Sequence, residues 1–144
     1  CTPSQIHNYV SKLSGPLMDR IDLQIEVDNI SYDELRTKQE GETSAEIKKR
    51  INRVRALQRE RFAKDGISTN AEMGSRELAK YCQIDENCER LLKKAFEKLN
   101  LSARGTTRIL KVARTIADIE GSENITPAHI AEAIQYRGLD RKYS

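Results

Sequence analysis

Residues 101–121 read Leu-Ser-Ala-Arg-Gly-Thr-Thr-Arg-Ile-Leu-Lys-Val-Ala-Arg-Thr-Ile-Ala-Asp-Ile-Glu-Gly, and no other stretch constrains the fold as much. Ser102 can accept from the free N–H groups of a first helical turn, and Gly121 can take the left-handed conformation that ends one. At 100° per residue, Ile109, Leu110, Val112, Ala113, Ile116 and Ala117 gather on one side. Arg104, Arg108, Lys111 and Thr115 stack on the other. The apolar side must be covered by other helices, and the basic stripe is expected to be free. Arg104 and Arg108 fall in the first turns, where the helix dipole disfavours a cation by roughly a few tenths of a kcal/mol. A local rule broken in this way is expected where function outweighs stability, and an arginine-flanked helix N-terminus suits an anion such as phosphate. The plainer reading is that these arginines are solvated.

The other elements follow from caps and periodicity. Thr2-Pro-Ser-Gln opens a short helix through Lys12, with Ile6, Tyr9, Val10 and Leu13 at helical spacing, and Ser14-Gly-Pro stops it. Ile21, Leu23, Ile25 and Val27 alternate with Asp22, Gln24 and Glu26, the period of a half-buried strand. One strand cannot satisfy its own backbone, so its sheet is expected before Cys1 or in a partner. Ser31-Tyr-Asp-Glu34 is a capping box within a polar connector, and Thr43-Ser-Ala-Glu46 is another. The second opens a long helix to about Lys64 with Ile47, Ile51, Val54 and Phe62 on one stripe. After an irregular stretch at 65–74, Ser75 caps a helix through Cys82. Asp85 caps one in which Cys88, Leu91, Leu92, Ala95, Phe96 and Leu99 form a full apolar stripe and which ends at Asn100. Thr126-Pro127 starts a last helix, with Ile130, Ala131 and Ile134 packed, that closes near Gly138. The expected fold is mainly α: residues 1–30 the tail of another unit, 31–43 a connector, and 44–144 a helical bundle.

Charge is unevenly placed beneath a net +3. Residues 1–43 hold four Lys or Arg against eight Asp or Glu, and residues 44–64 reverse this with eight against two. Lys48, Lys49, Arg50, Arg53, Arg55, Arg59, Arg61 and Lys64 therefore invite a nucleic-acid reading, of which Lys48, Lys49, Arg53, Arg55 and Arg59 are the candidate contacts. Against it, these cations surround the helix and only Phe62 offers a stacking ring; a solvated helix face is the plainer reading.

Other chemistries are poorly served. No Gly-x-x-x-x-Gly-Lys-Ser/Thr loop and no Gly-x-Gly-x-x-Gly occurs, so this stretch alone cannot wrap a triphosphate. His7 and His129 are expected at the surface or at helix ends rather than in a catalytic triad. Three cysteines without a Cys-x-x-Cys pair argue against zinc or a disulfide framework and for a reducing cytoplasm. No apolar run reaches the length of a bilayer span. A chain that starts at Cys1 reads as a piece of something longer.

Ser14-Gly-Pro-Leu-Met-Asp-Arg-Ile-Asp22 resembles the arginine-finger segment of the magnesium-chelatase-like AAA+ ATPases, with Met18 where that family usually has Leu. Leu101-Ser-Ala-Arg-Gly and the following Arg-Ile-Leu-Lys-Val-Ala-Arg-Thr-Ile-Ala-Asp resemble its sensor-2 helix, and residues 125–137 its terminal helix. The likeness is to the competence-protein (ComM/YifB) type rather than the pigment-synthesis subunit, and Cys1-Thr-Pro-Ser-Gln resembles the end of a cysteine-rich insert there.

The resemblance implies that residues 1–30 close an α/β nucleotide-binding core, as its arginine-finger segment and last strand, and that the bundle is its lid. Arg20 would be the arginine finger, acting in trans on a neighbouring subunit; paired with Asp19 or Asp22 it would be merely structural. Arg104 would be the sensor-2 residue over the phosphates of ATP, with Arg108 assisting or solvated. ATP and Mg²⁺ would be cofactors of the full-length protein and not of this stretch alone. The implied partners are its own AAA+ core, the subunits of a homo-oligomeric, hexameric ring and DNA, with no membrane. The alternatives are an ATPase subunit for metal insertion into porphyrin, and a non-enzymatic helical nucleic-acid-binding module.

Overall fold

A computed structural model describes residues 2–36 and 41–137. Cys1, the side chains of Val10 and Glu34, residues 37–40 of the connector and the stop at Gly138 lie outside the described residues. Helices α1 (Pro3–Val10), α2 (Gly15–Met18) and α3 (Tyr32–Arg36) precede α4 (Ser44–Arg61). A 3-10 turn at Asn70–Glu72 leads to α5 (Ser75–Tyr81), α6 (Glu86–Leu99), α7 (Ala103–Glu120) and α8 (Pro127–Gln135).

The caps act largely as their sequence suggests. Thr43 Oγ1 accepts from Glu46 N–H while the Glu46 carboxylate accepts from Thr43 N–H at 2.8 Å. Asp85 accepts from Cys88 N–H at 2.8 Å, Ser102 from Gly105 N–H at 3.1 Å, and Gly121 ends α7 at φ 81°. Asn100 ends α6 in the left-handed region at φ 49°, a conformation that asparagine tolerates better than most residues. At α5 the cap is Gly74 rather than Ser75, because the Glu77 carboxylate reaches back to the Gly74 N–H at 2.9 Å.

α7 is the hub, packing against α8, α4, α5 and the 3-10 turn, while α8 also packs on α6. Phe62, Met73, Cys82, Cys88, Leu92, Leu101, Ile109, Ile125 and Ile130 form the core, with Ala95, Ala113 and Ala133 where backbones approach. Phe62 meets Tyr81 edge-on, ring centroids 5.2 Å apart, an arrangement that adds about 0.5–1.5 kcal/mol beyond its buried area. One expectation fails here. Ile47 and Ile51, set on the same stripe as buried Val54, are 37% and 52% exposed, because among the described residues no element covers the first turns of α4. Residues 21–27 join no ladder among the described residues, where no second strand is present to pair with them, and Leu23, Ile25 and Val27 are 50%, 64% and 85% exposed. Alternation supplies a face for a sheet but not the neighbouring strand that fixes one.

Cys82 and Cys88 are buried, and burial pushes both thiols up to about 11. Both favour folding fully below the unfolded value near 9 and lose that contribution as pH rises towards 11. At pH 8, iodoacetamide is expected to label neither in the native chain and both after urea unfolding, read site by site by peptide mass spectrometry. Native labelling at the rate of a free thiol would contradict this burial. Among the described residues no helix is long and apolar enough to cross a membrane.

Candidate functional site

The basic stripe of α7 is divided by its neighbours. Arg108 forms an ion pair with Asp22, Lys111 Nζ donates to the Ala71 carbonyl at 2.9 Å, and Thr115 Oγ1 accepts from Asn70 Nδ2 at 3.0 Å. Arg104 alone of the four stays exposed, with no side-chain hydrogen bond or ion pair among the described residues. It sits at the second helical position after Ser102, where the N–H groups of an 18-residue helix still point outward. An unpartnered guanidinium there fits an anionic phosphate.

Arg20 follows α2, which Ser14 caps and which has Pro16 in its first turn. Its guanidinium is exposed and donates to the Pro16 carbonyl at 3.0 Å. Both acids beside it are engaged elsewhere: Asp22 by Arg108, and Asp19 by Arg137 at 3.8 Å. The local ion pair weighed for Arg20 is therefore not adopted. Arg137, 1% exposed, also donates to the carbonyls of Ile21 at 2.9 Å and Met18 at 3.4 Å.

The cations of α4 separate in the same way. Lys48, Lys49, Arg55 and Arg59 are exposed. Arg50 pairs with Glu42, and Arg53 Nη2 is committed to the Ile119 carbonyl at 2.7 Å, where it tends the C-terminus of α7. Arg61 turns inward and binds Asp118 and Asn70.

Asp118 is the centre of a buried polar cluster that periodicity alone did not reveal. Its carboxylate accepts from Arg61 Nη1 at 2.7 Å, Asn70 Nδ2 at 2.9 Å, Arg114 Nε at 3.1 Å and Gln58 Nε2 at 3.4 Å. Burial pushes its pKa up, but the hydrogen bonds from Arg61 and Asn70 and the two arginine charges outweigh it and hold the group below its ordinary value. Arg114 also donates to the Ser122 and Glu123 carbonyls, both at 2.8 Å. The one sequence signal was the Arg114–Asp118 pair at i, i+4.

His129, expected at the surface or a helix end, is at the start of α8 but its side chain is 3% exposed. Its Nδ1 accepts from Thr126 N–H at 2.9 Å, which leaves Nε2 to donate to Glu120. It is a cap rather than a catalytic base. No group of three or more His, Cys, Asp or Glu that could hold a metal occurs among the described residues.

Residues 41–137 match the family described as magnesium chelatase, subunit ChlI C-terminal, and residues 1–35 match magnesium chelatase, subunit ChlI. The chain is 43% identical over 141 residues to competence protein ComM of Haemophilus influenzae, covering 97% of this chain and 27% of that protein. It is 41% and 40% identical over 142 residues to the uncharacterized YifB proteins of Salmonella typhimurium and Escherichia coli, covering 98% of this chain and 27% of each. It thus spans about a quarter of the length of the curated relatives it matches.

Proposed function

The chain belongs to the magnesium chelatase ChlI family, whose C-terminal domain it matches over residues 41–137, and from that membership we propose that it is the lid-bearing part of an ATPase. In this reading residues 1–30 complete a nucleotide-binding core and the bundle that follows the 31–43 connector covers the nucleotide. Arg104 contacts the phosphates held by its own subunit as the sensor-2 residue. Arg20 reaches the phosphates held by a neighbour in a ring, a hexamer, as its arginine finger.

The observation that carries this reading is the release of Arg20 from both adjacent acids, which leaves an exposed guanidinium with one carbonyl partner. ATP supplies the transferable phosphoryl group and Mg²⁺ neutralises its charge; among the described residues Arg104 and Arg20 suit the phosphates, and the metal is left to residues elsewhere in the full-length protein. Hydrolysis by the full-length protein tests the reading. Loss of turnover in both Arg20→Ala and Arg104→Ala supports it, and wild-type rates in both overturn it.

The substrate favoured for this motor is DNA, in the cytoplasm, during competence or recombination. Two features support DNA: the likeness to a competence protein, and the exposed Lys48, Lys49, Arg55 and Arg59 on α4. Replacing these four by glutamine is expected to weaken DNA binding and to flatten its salt dependence, by about 0.9 in log–log slope for each phosphate no longer neutralised. Unchanged affinity and slope would make α4 a solvated face. Metal insertion into porphyrin is a second reading, towards which the family's magnesium-chelatase name points, and porphyrin-stimulated ATP hydrolysis without a DNA effect would favour it.

A further inference from the structure

Arg20 is carried on a stretch with little internal support. α2 is a single turn, residues 21–27 join no sheet among the described residues, and Leu17, Ile21 and Leu23 are exposed. The stretch is nonetheless gripped on both sides of Arg20 by residues far along the chain. Arg137 holds the carbonyls of Met18 and Ile21 and lies 3.8 Å from the Asp19 carboxylate. Arg108 holds the Asp22 carboxylate, and the Gln24 N–H donates to the Tyr136 carbonyl at 2.7 Å. A planar guanidinium spanning two carbonyls fixes direction as well as distance, which a lysine cannot reproduce. Arg108 also lies one turn beyond Arg104 on the same face of α7, so the helix that presents Arg104 is tied to the segment that presents Arg20.

We propose that Arg108 and Arg137 are positioning residues for Arg20, and that the Arg108–Asp22 pair transmits movement of α7 at one nucleotide to the arginine offered to the next. This rests on the reading of Arg20 as a residue that acts on a neighbour's phosphates. Small displacement suffices for an effect, since a shift of about 1 Å in a group aligned on a reacting centre can change the rate about 10²-fold. Arg108 is thereby assigned to Asp22 and not to phosphate.

The test is a charge swap in the full-length protein, made at a pair whose side chains are 27% and 52% exposed so that the core is untouched. Arg108→Asp and Asp22→Arg are each expected to lower kcat for ATP hydrolysis by about 10- to 100-fold with KM for ATP within about twofold of wild type. The double variant is expected to recover most of that loss, with melting temperatures followed in all three. A double variant no better than the worse single one overturns the proposal, as do single variants at the wild-type rate. A KM raised by Arg108→Asp and unrelieved by Asp22→Arg also overturns it, because it places Arg108 on the nucleotide. Arg20→Ala, assayed in parallel, separates the two failures. If that variant keeps wild-type kcat, the reading of Arg20 fails; if it loses activity while the swap has no effect, only the coupling fails.

Discussion

With alanine at Arg20, the full-length protein is expected to keep its affinity for ATP and to lose about 10³-fold or more in kcat. An arginine that stabilises charge spread over the phosphoryl oxygens acts in the transition state, so its removal lowers kcat and leaves ground-state binding little changed. The Arg20 side chain makes one hydrogen bond among the described residues, to the Pro16 carbonyl on its own turn, so alanine removes little that holds the fold. Arg104→Ala is expected to differ in kind. A guanidinium resting on bound phosphates contributes to binding as well as to turnover, so both KM and kcat should suffer, with about 10²-fold lost from kcat/KM. Equilibrium binding of a fluorescent ATP analogue, beside steady-state hydrolysis, distinguishes the two patterns. A large loss of nucleotide affinity in Arg20→Ala would contradict the role given to that residue.

The largest effect on stability is expected at Asp118. Its side chain is fully buried between Arg61 and Arg114, whose side chains are only 14% and 5% exposed. Alanine there leaves two guanidiniums inside the protein without a counter-charge, a loss of about 3–5 kcal/mol. In a chain of this size that corresponds to an unfolding midpoint lower by roughly 10 °C or more. Asparagine keeps the volume and part of the hydrogen bonding but not the charge, so it should fall between wild type and alanine. The folded pKa of Asp118 lies below the unfolded one, so its contribution is present above about pH 4 and disappears as pH falls through the folded value. Unfolding by urea at pH 7 and pH 3 checks both statements: the gap between wild type and Asp118→Asn should narrow at the lower pH. A gap that widened would mean that the carboxylate is not held charged by its arginines.

Local chemistry was legible in the chain because it is written within a few residues. The reciprocal cap of Thr43 and Glu46, the Asp85 and Ser102 caps and the left-handed Gly121 each depend on neighbours at most three or four positions away. Pairing was not legible. Arg61 and Asp118 are 57 residues apart, and nothing in the spacing of α4 distinguishes inward Arg61 from outward Arg59. Periodicity likewise marks Ile47, Ile51 and Val54 as one stripe, but only tertiary packing decides that cover begins at Val54. The alternation at 21–27 describes half of a strand, since a ladder needs a second chain segment. The same limit applied to the candidate site. Sequence placed Arg20, Arg104 and Arg108 in three conspicuous positions, and long-range ion pairs separate the bound one from the two that remain exposed. Arg137 was not legible because Met18, Asp19 and Ile21, which its guanidinium meets, lie more than a hundred residues earlier.

In the proposed ring the two exposed arginines serve different nucleotides, Arg104 its own subunit's and Arg20 its neighbour's. Mixing Arg20→Ala with Arg104→Ala full-length subunits puts this division of labour to the test. An Arg20→Ala subunit still offers an intact Arg104, and an Arg104→Ala neighbour still offers an intact Arg20, so whole sites form only where the two kinds meet. ATP hydrolysis, lost in each variant alone, is expected to return in part when they are mixed and exchange subunits. Mixtures that remain as inactive as either variant alone would contradict it, because both arginines would then belong to a site that one subunit completes by itself.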